Sequence, residues 1–268
     1  MSNSIEYKDN SKSFSKLQLQ KNNSFISQNI ENSISNKIDN MKYNDFELNS
    51  FIYSDALKYD KRGFFECYIS LIKTKQPILF SFWPIKDYNS IIIKIDLFFL
   101  SFSIYYFINA LFFDETTIHK IYEDEGIYNL IYLIPHILYS FLVSHTLITI
   151  IKYFSLSERN IYEIKQEKNY EKANDNISNV KRCLVIKYIC FFTSCISFLI
   201  FLWYYLSSFG AIYQNTQVYL IKNTSISFAF SLVYPFIINL IPGILRIYSL
   251  KEPNRKCIFK IGKIIQYI

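Results

Sequence analysis

Four blocks of the chain are apolar almost without interruption: Ile91 to Phe113, Ile127 to Ile151, Cys183 to Leu206 and Ile226 to Leu245. Each approaches or exceeds the roughly 20 residues a helix needs to cross the hydrocarbon core of a bilayer. The apolar positions run continuously and do not alternate every second residue, so a transmembrane barrel does not fit. The blocks are rich in β-branched and aromatic residues, which favour helix only weakly in water. Lipid overrides that preference, because an unpaired backbone amide there costs several kcal/mol and a helix satisfies its own. The pattern predicts an all-α polytopic membrane bundle with four transmembrane helices, at about 91–113, 127–151, 183–206 and 226–245.

The flanks follow a different pattern. Residues 1–53 predict a disordered cytoplasmic tail, since the first fifty residues hold ten Ser and ten Asn among scattered Lys. Such a stretch buries too little apolar surface to offset the entropy of ordering it. The transmembrane domain then occupies 54–268. Residues 54–75 predict an amphipathic helix, capped by Ser54 or Asp55, with Leu57, Phe64, Tyr68 and Ile72 near one face. At 255–268 the spacing of Ile258, Ile261, Ile265 and Ile268 predicts a second one. Both are expected to lie in the cytoplasmic membrane interface, with docking on the bundle or on a partner as the competing placement. Residues 77–85, bounded by Pro77 and Pro84, are too short to cross and predict an interfacial elbow. In the loop 152–182, Ser157 predicts the start of a short helix, followed by a flexible Asn-rich turn.

Charge sets the expected orientation. The approach to the first span, the loop 152–182 and the segment after the fourth span together carry 16 Lys and Arg, whereas the loops 114–126 and 207–225 carry only Lys120 and Lys222. The positive-inside rule then places both termini in the cytoplasm. Trp83, Tyr88, Tyr128, Tyr132, Trp203, Tyr204 and Tyr205 fall where interfacial aromatic belts belong. The net charge of +7 lies beside apolar blocks, which favours a membrane surface over nucleic acid as the partner. None of the five cysteines forms a CxxC pair, so a zinc site is not expected. Residues 1–30 lack the apolar core of a cleavable signal peptide.

Ionisable groups inside a membrane are costly and so are candidates for function. Lys94 and Asp96 fall in the first span and Lys187 near the start of the third. The lysines can snorkel to the interface, and Asp96 can pair with Lys187. His136 and His145 are nine residues apart and point to opposite helix faces, so they share no metal site. His119 and Glu123 share a face at i, i+4 but lack further ligands. Pro135, Pro235 and Pro242 interrupt two spans. Asn109, Ser140, Ser144, Thr193, Ser197 and Asn239 are expected to hydrogen-bond between helices, without converging at one depth. Asn223-Thr224-Ser225 forms a glycosylation triplet that abuts the membrane. No nucleotide-binding or hydrolase motif is present, and no catalytic, cofactor-binding or metal-ligating residue is assigned.

Several phrases carry a resemblance: ALKYDKRGFFECYISLIKTKQ at 56–76, INALFF with HKIYEDEG at 108–126, KYFSLSERNI at 152–161 and the stretch 203–247 beginning WYYLSSFGAIYQ. They resemble the C-terminal multi-pass region of large protist surface proteins, ciliate ones especially. The resemblance implies membrane topology and no chemistry. The expectation is therefore a non-enzymatic, multi-pass membrane anchor or assembly module without cofactors, the alternative being a subunit of an oligomeric channel or transporter. Its expected partners are the lipid bilayer, other membrane proteins or a second copy of the chain, and no nucleic acid.

Overall fold

The computed structural model describes residues 43–123, 129–166 and 170–267. Among these residues there are twelve α-helices: α1 (Asp45–Ser50), α2 (Tyr53–Tyr59), α3 (Phe64–Lys75), α4 (Pro77–Phe82), α5 (Ile91–Leu111), α6 (Glu115–Glu123), α7 (Leu130–Ser155), α8 (Glu158–Gln166), α9 (Tyr170–Ile212), α10 (Gln217–Ile238), α11 (Leu240–Leu250) and α12 (Lys256–Tyr267). A 3-10 turn, Gln214–Thr216, leads into α10. Among the described residues there is no strand.

Four of these segments are long and apolar enough to cross a membrane: Ile91–Leu111, Leu130–Ser155, Asn176–Ile212 and Gln214–Leu250. The chain is thus an all-α membrane bundle, as the apolar blocks predict. The span ends move. The third is continuous with the preceding segment, so Asn176 to Arg182, expected in a flexible turn, are helical. At about 1.5 Å per residue, the 43 residues of α9 reach about 64 Å, twice a hydrocarbon core. The fourth begins at Gln217, nine residues before Ile226, and breaks once, at Asn239. Pro242 explains the break's position. Its missing amide falls in the first turn of α11, where no intrahelical partner is needed.

α5 is the hub. Ile93, Leu97, Leu100, Ile104 and Ile108 recur at three- and four-residue spacing and are all buried, against α7, α9 and α10. The most apolar window of α5 is 44% buried, that of α9 only 11%, so α9 stands at the rim of the bundle. One end is closed by α6, whose Ile118 and Ile121 pack with Phe113, Phe209 and Leu220. Asp114 caps α6 by accepting from Thr117 N at 2.8 Å.

The opposite, basic end carries a helical cap. The tail expected over 1–53 lies outside the described residues as far as residue 42, but the chain is folded from residue 43. Asn44 and Glu47 form a reciprocal capping box at the start of α1. The single helix expected over 54–75 is two, α2 and α3, separated by an extended Asp60. Neither Ser54 nor Asp55 caps; the Ncap of α2 is Ile52, and Gly63 N donates to Glu66 instead. α3 buries Cys67, Ser70, Leu71 and Ile72 against α1, α4 and α11. Its apolar face is therefore covered by protein, the docked placement, while Phe65 and Ile69 stay exposed. The elbow at 77–85 is largely a short helix with Pro77 at its first turn and Phe80 buried. α11 and α12 form a hairpin that closes at Gly262, where a Cβ would meet Leu245 Cβ at 3.1 Å. The buried line of α12 is Phe259 and Gly262; Ile261, expected on it, faces outward.

Candidate functional site

Two polar constellations lie inside this apolar frame. The first sits in the cap. The extended backbone at Asp60 turns its carboxylate inward, where Arg62 clasps it with Nε at 2.8 Å and Nη2 at 2.9 Å. Arg246, from α11 and 186 residues away in sequence, reaches the same carboxylate with Nε at 2.9 Å. Arg62 also donates to Ser70 Oγ at 2.8 Å and Asn49 Oδ1 at 3.1 Å. Arg246 donates further to the backbone carbonyls of Leu48 and Asn49 and lies over the Phe259 ring. All three ionised groups are buried. One carboxylate shared by two guanidiniums leaves one net positive charge, spread over neutral acceptors. Burial works against the Asp60 carboxylate, but Arg62 and Arg246 outweigh it and hold it below the usual carboxylate range.

A second knot beside it joins α1 to α8. Glu47, almost fully buried, accepts from Lys165 Nζ at 2.6 Å and from Tyr88 Oη at 2.8 Å. Ser157 sits where the α8 cap is predicted, yet its hydroxyl donates to the Tyr88 carbonyl at 2.9 Å and so ties the loop to the first span's entry. Lys94 does not snorkel. It is buried and paired with Asp87 at 3.1 Å. Nearby, burial first and then the Asp87 charge push the Glu158 carboxyl up to about 7.

The second constellation is in the membrane, between α5, α7 and α10. Asn109 Nδ2 lies 3.4 Å from Ser227 Oγ, which in turn is 3.4 Å from the Ile137 carbonyl, so three spans meet at one level. Tyr105, Ser140, Ser144, Thr224 and Ser231 are buried in the same three helices. Hydroxyls in spans usually bond to their own helix one turn back, as Ser101, Ser103, Thr146, Thr149 and Ser208 do here. Ser140, Ser144 and Thr224, with no exposed surface, have no hydrogen-bond partner among the described residues. This convergence overturns the expectation that polar residues share no depth. The early start of α10 adds to it, because Asn223 and Thr224 enter the span where a loop is expected. The glycosylation triplet fails for the same reason: Asn223 is buried within α10.

The other candidates scatter. Asp96 does not meet Lys187; it lies beside Cys195 with Oδ2 buried, while Lys187 donates to the Leu156 carbonyl at 2.7 Å. His136 contacts Thr117 Oγ1 at 3.3 Å, whereas His145 packs against Tyr234, so the two histidines face different neighbours. His119 and Glu123 pair at 3.8 Å on the exposed side of α6. Thr193 and Ser197, expected between helices, are exposed on α9. Asn239 bonds back to the Pro235 carbonyl at 2.7 Å within its own strand of chain. Trp203 and Tyr204 are exposed, in keeping with a belt position, and Tyr128 lies outside the described residues. Among the described residues, no group of three or more His, Cys, Asp or Glu is placed to hold a metal.

The chain is thus a four-span helical membrane bundle with a folded polar cap at one end. No family model, curated protein or solved structure matches the chain.

Proposed function

We propose that this chain is a non-enzymatic membrane anchor or assembly module, with its cap and both termini in the cytoplasm. The supporting observation is the Asp60–Arg62–Arg246 cluster. It joins the segment that precedes the first span to the end of the last one, so the described chain ahead of the first span is pinned to the four-span bundle. Buried ion networks are weak sources of stability and serve better as devices of register. The resemblance to multi-pass regions of protist surface proteins fits an anchor, since it implies topology alone. A fluorescent reporter fused to the N-terminus of the full chain tests the reading. It should stay on membranes through an alkaline carbonate wash, and vesicles holding the purified chain should be tight to ions. Release of the reporter, or selective ion flux, would overturn it.

The buried hydroxyls of Ser140, Ser144 and Thr224 favour a second reading, a subunit of an oligomeric channel or transporter. Unsatisfied polar groups in a dry span are costly and suit a site that takes up water or a hydrated ion. Flux abolished by Asn109→Leu would support it. Unchanged tightness of wild-type vesicles would count against it.

A further inference from the structure

The rim position of α9 opens a groove of about 590 Å³ between α5, α7 and α9. That is within the range of ligand-binding cavities. Its walls are almost wholly apolar, with Leu100 and Ile104 from α5, Leu147 and Phe154 from α7, and Phe191 and Phe198 from α9. One ammonium breaks this pattern. Lys187 lines the groove at the end nearest the basic cap. An ammonium has three donors, and Lys187 makes one hydrogen bond, to the Leu156 carbonyl at 2.7 Å. Among the described residues no carboxylate pairs with it. Lys181 and Arg182, both exposed, continue the positive charge along α9. From Lys187 to Phe198 the helix advances eleven residues, about 16 Å. Half of a hydrocarbon core is about 15 Å. The groove is therefore as long as one leaflet is thick, with its ammonium at the end nearest the basic cap.

The geometry points to a bound anionic phospholipid of the leaflet at the basic end, one acyl chain in the groove and its phosphate on Lys187. Charge complementarity selects the headgroup, and the apolar length selects the chain. Anionic lipids are the ones a basic side chain holds at a membrane surface.

Native mass spectrometry of the full chain in mild detergent, titrated with phosphatidylglycerol, phosphatidylcholine or palmitate, tests this. Wild type should hold one phosphatidylglycerol in preference to phosphatidylcholine by about fivefold, the worth of one basic residue beside an anionic surface. Lys187→Gln should erase the preference and Lys187→Arg restore it, which separates loss of charge from loss of fold. Cys190→Trp, which fills the groove from its exposed side, should weaken both phospholipids alike. Equal binding of the two phospholipids by wild type would overturn the proposal. So would a preference that survives Lys187→Gln, or saturable binding of palmitate without phosphatidylglycerol. None of these outcomes bears on whether a reporter stays anchored, so the anchor reading stands or falls separately.

Discussion

Asp60→Ala should damage the cap more than Arg246→Gln, although Arg246 makes the longer-range contact. Removing the carboxylate strands two buried guanidiniums, Arg62 and Arg246, without a counter-charge. Uncompensated buried charge costs about 3–5 kcal/mol. Removing Arg246 leaves the Asp60–Arg62 pair closed, with both hydrogen bonds intact. The loss is then a charge-assisted hydrogen bond to Asp60 and the contacts to Leu48 and Asn49, about 1.5–3 kcal/mol. The double variant should cost less than the sum, because the second substitution removes one of the stranded charges. Thermal unfolding in detergent, followed by the fluorescence of Trp83 and Trp203, measures each term. For a chain of this size Asp60→Ala should lower the midpoint by roughly 6–20 °C. The effect has a sign in pH. Asp60 is depressed in the folded state, so its stabilisation is present above the ordinary carboxylate value near 3.8 and fades as pH falls through the lower folded value. A shift below about 1 kcal/mol for Asp60→Ala, or additive single variants, would refute the reasoning.

Glu158 should show the opposite dependence. Its folded pKa is raised from 4.5 to about 7, so folding favours the protonated form and stability falls as pH rises across that window. Glu158→Gln should match wild type near pH 4 and exceed it by up to about 3 kcal/mol above pH 7; a gap constant with pH would contradict this. Gly262→Ala should be nearly neutral, since the better helix propensity offsets a 3.1 Å contact with Leu245, while Gly262→Val should destabilise by about 1–3 kcal/mol in the same melt. Impermeant maleimide should label Cys257 readily from the cytoplasmic side of sealed vesicles and leave Cys67 untouched until denaturant is added. Burial also pushes the Cys67 thiol up, away from the reactive thiolate. Labelling of Cys257 only from the other side would reverse the proposed orientation.

The four spans were legible because their driving force is local. Twenty apolar residues in a row have one low-energy state in lipid, whatever their neighbours do, so α5, α7, α9 and α10 could be placed from composition alone. Helix ends depend on less, and there reading by apolarity failed. Apolarity alone places polar Asn223 and Thr224 in a loop, but packing against α5 and α7 carries α10 through them. Nothing in the residues around Asp60 signals that Arg246, 186 positions on, will share its carboxylate. The same holds for Lys165 finding Glu47, and for Lys94 pairing with Asp87 when Asp96 is nearer in sequence. Burial of a charge is decided by which elements meet, and a single sequence carries the period of each helix but not its rotation against the others. The sequence alone therefore determined how often this chain can cross a membrane and which end is basic. Tertiary packing decided which polar groups face one another, because only the assembled bundle sets the distances over which charges and hydrogen bonds act.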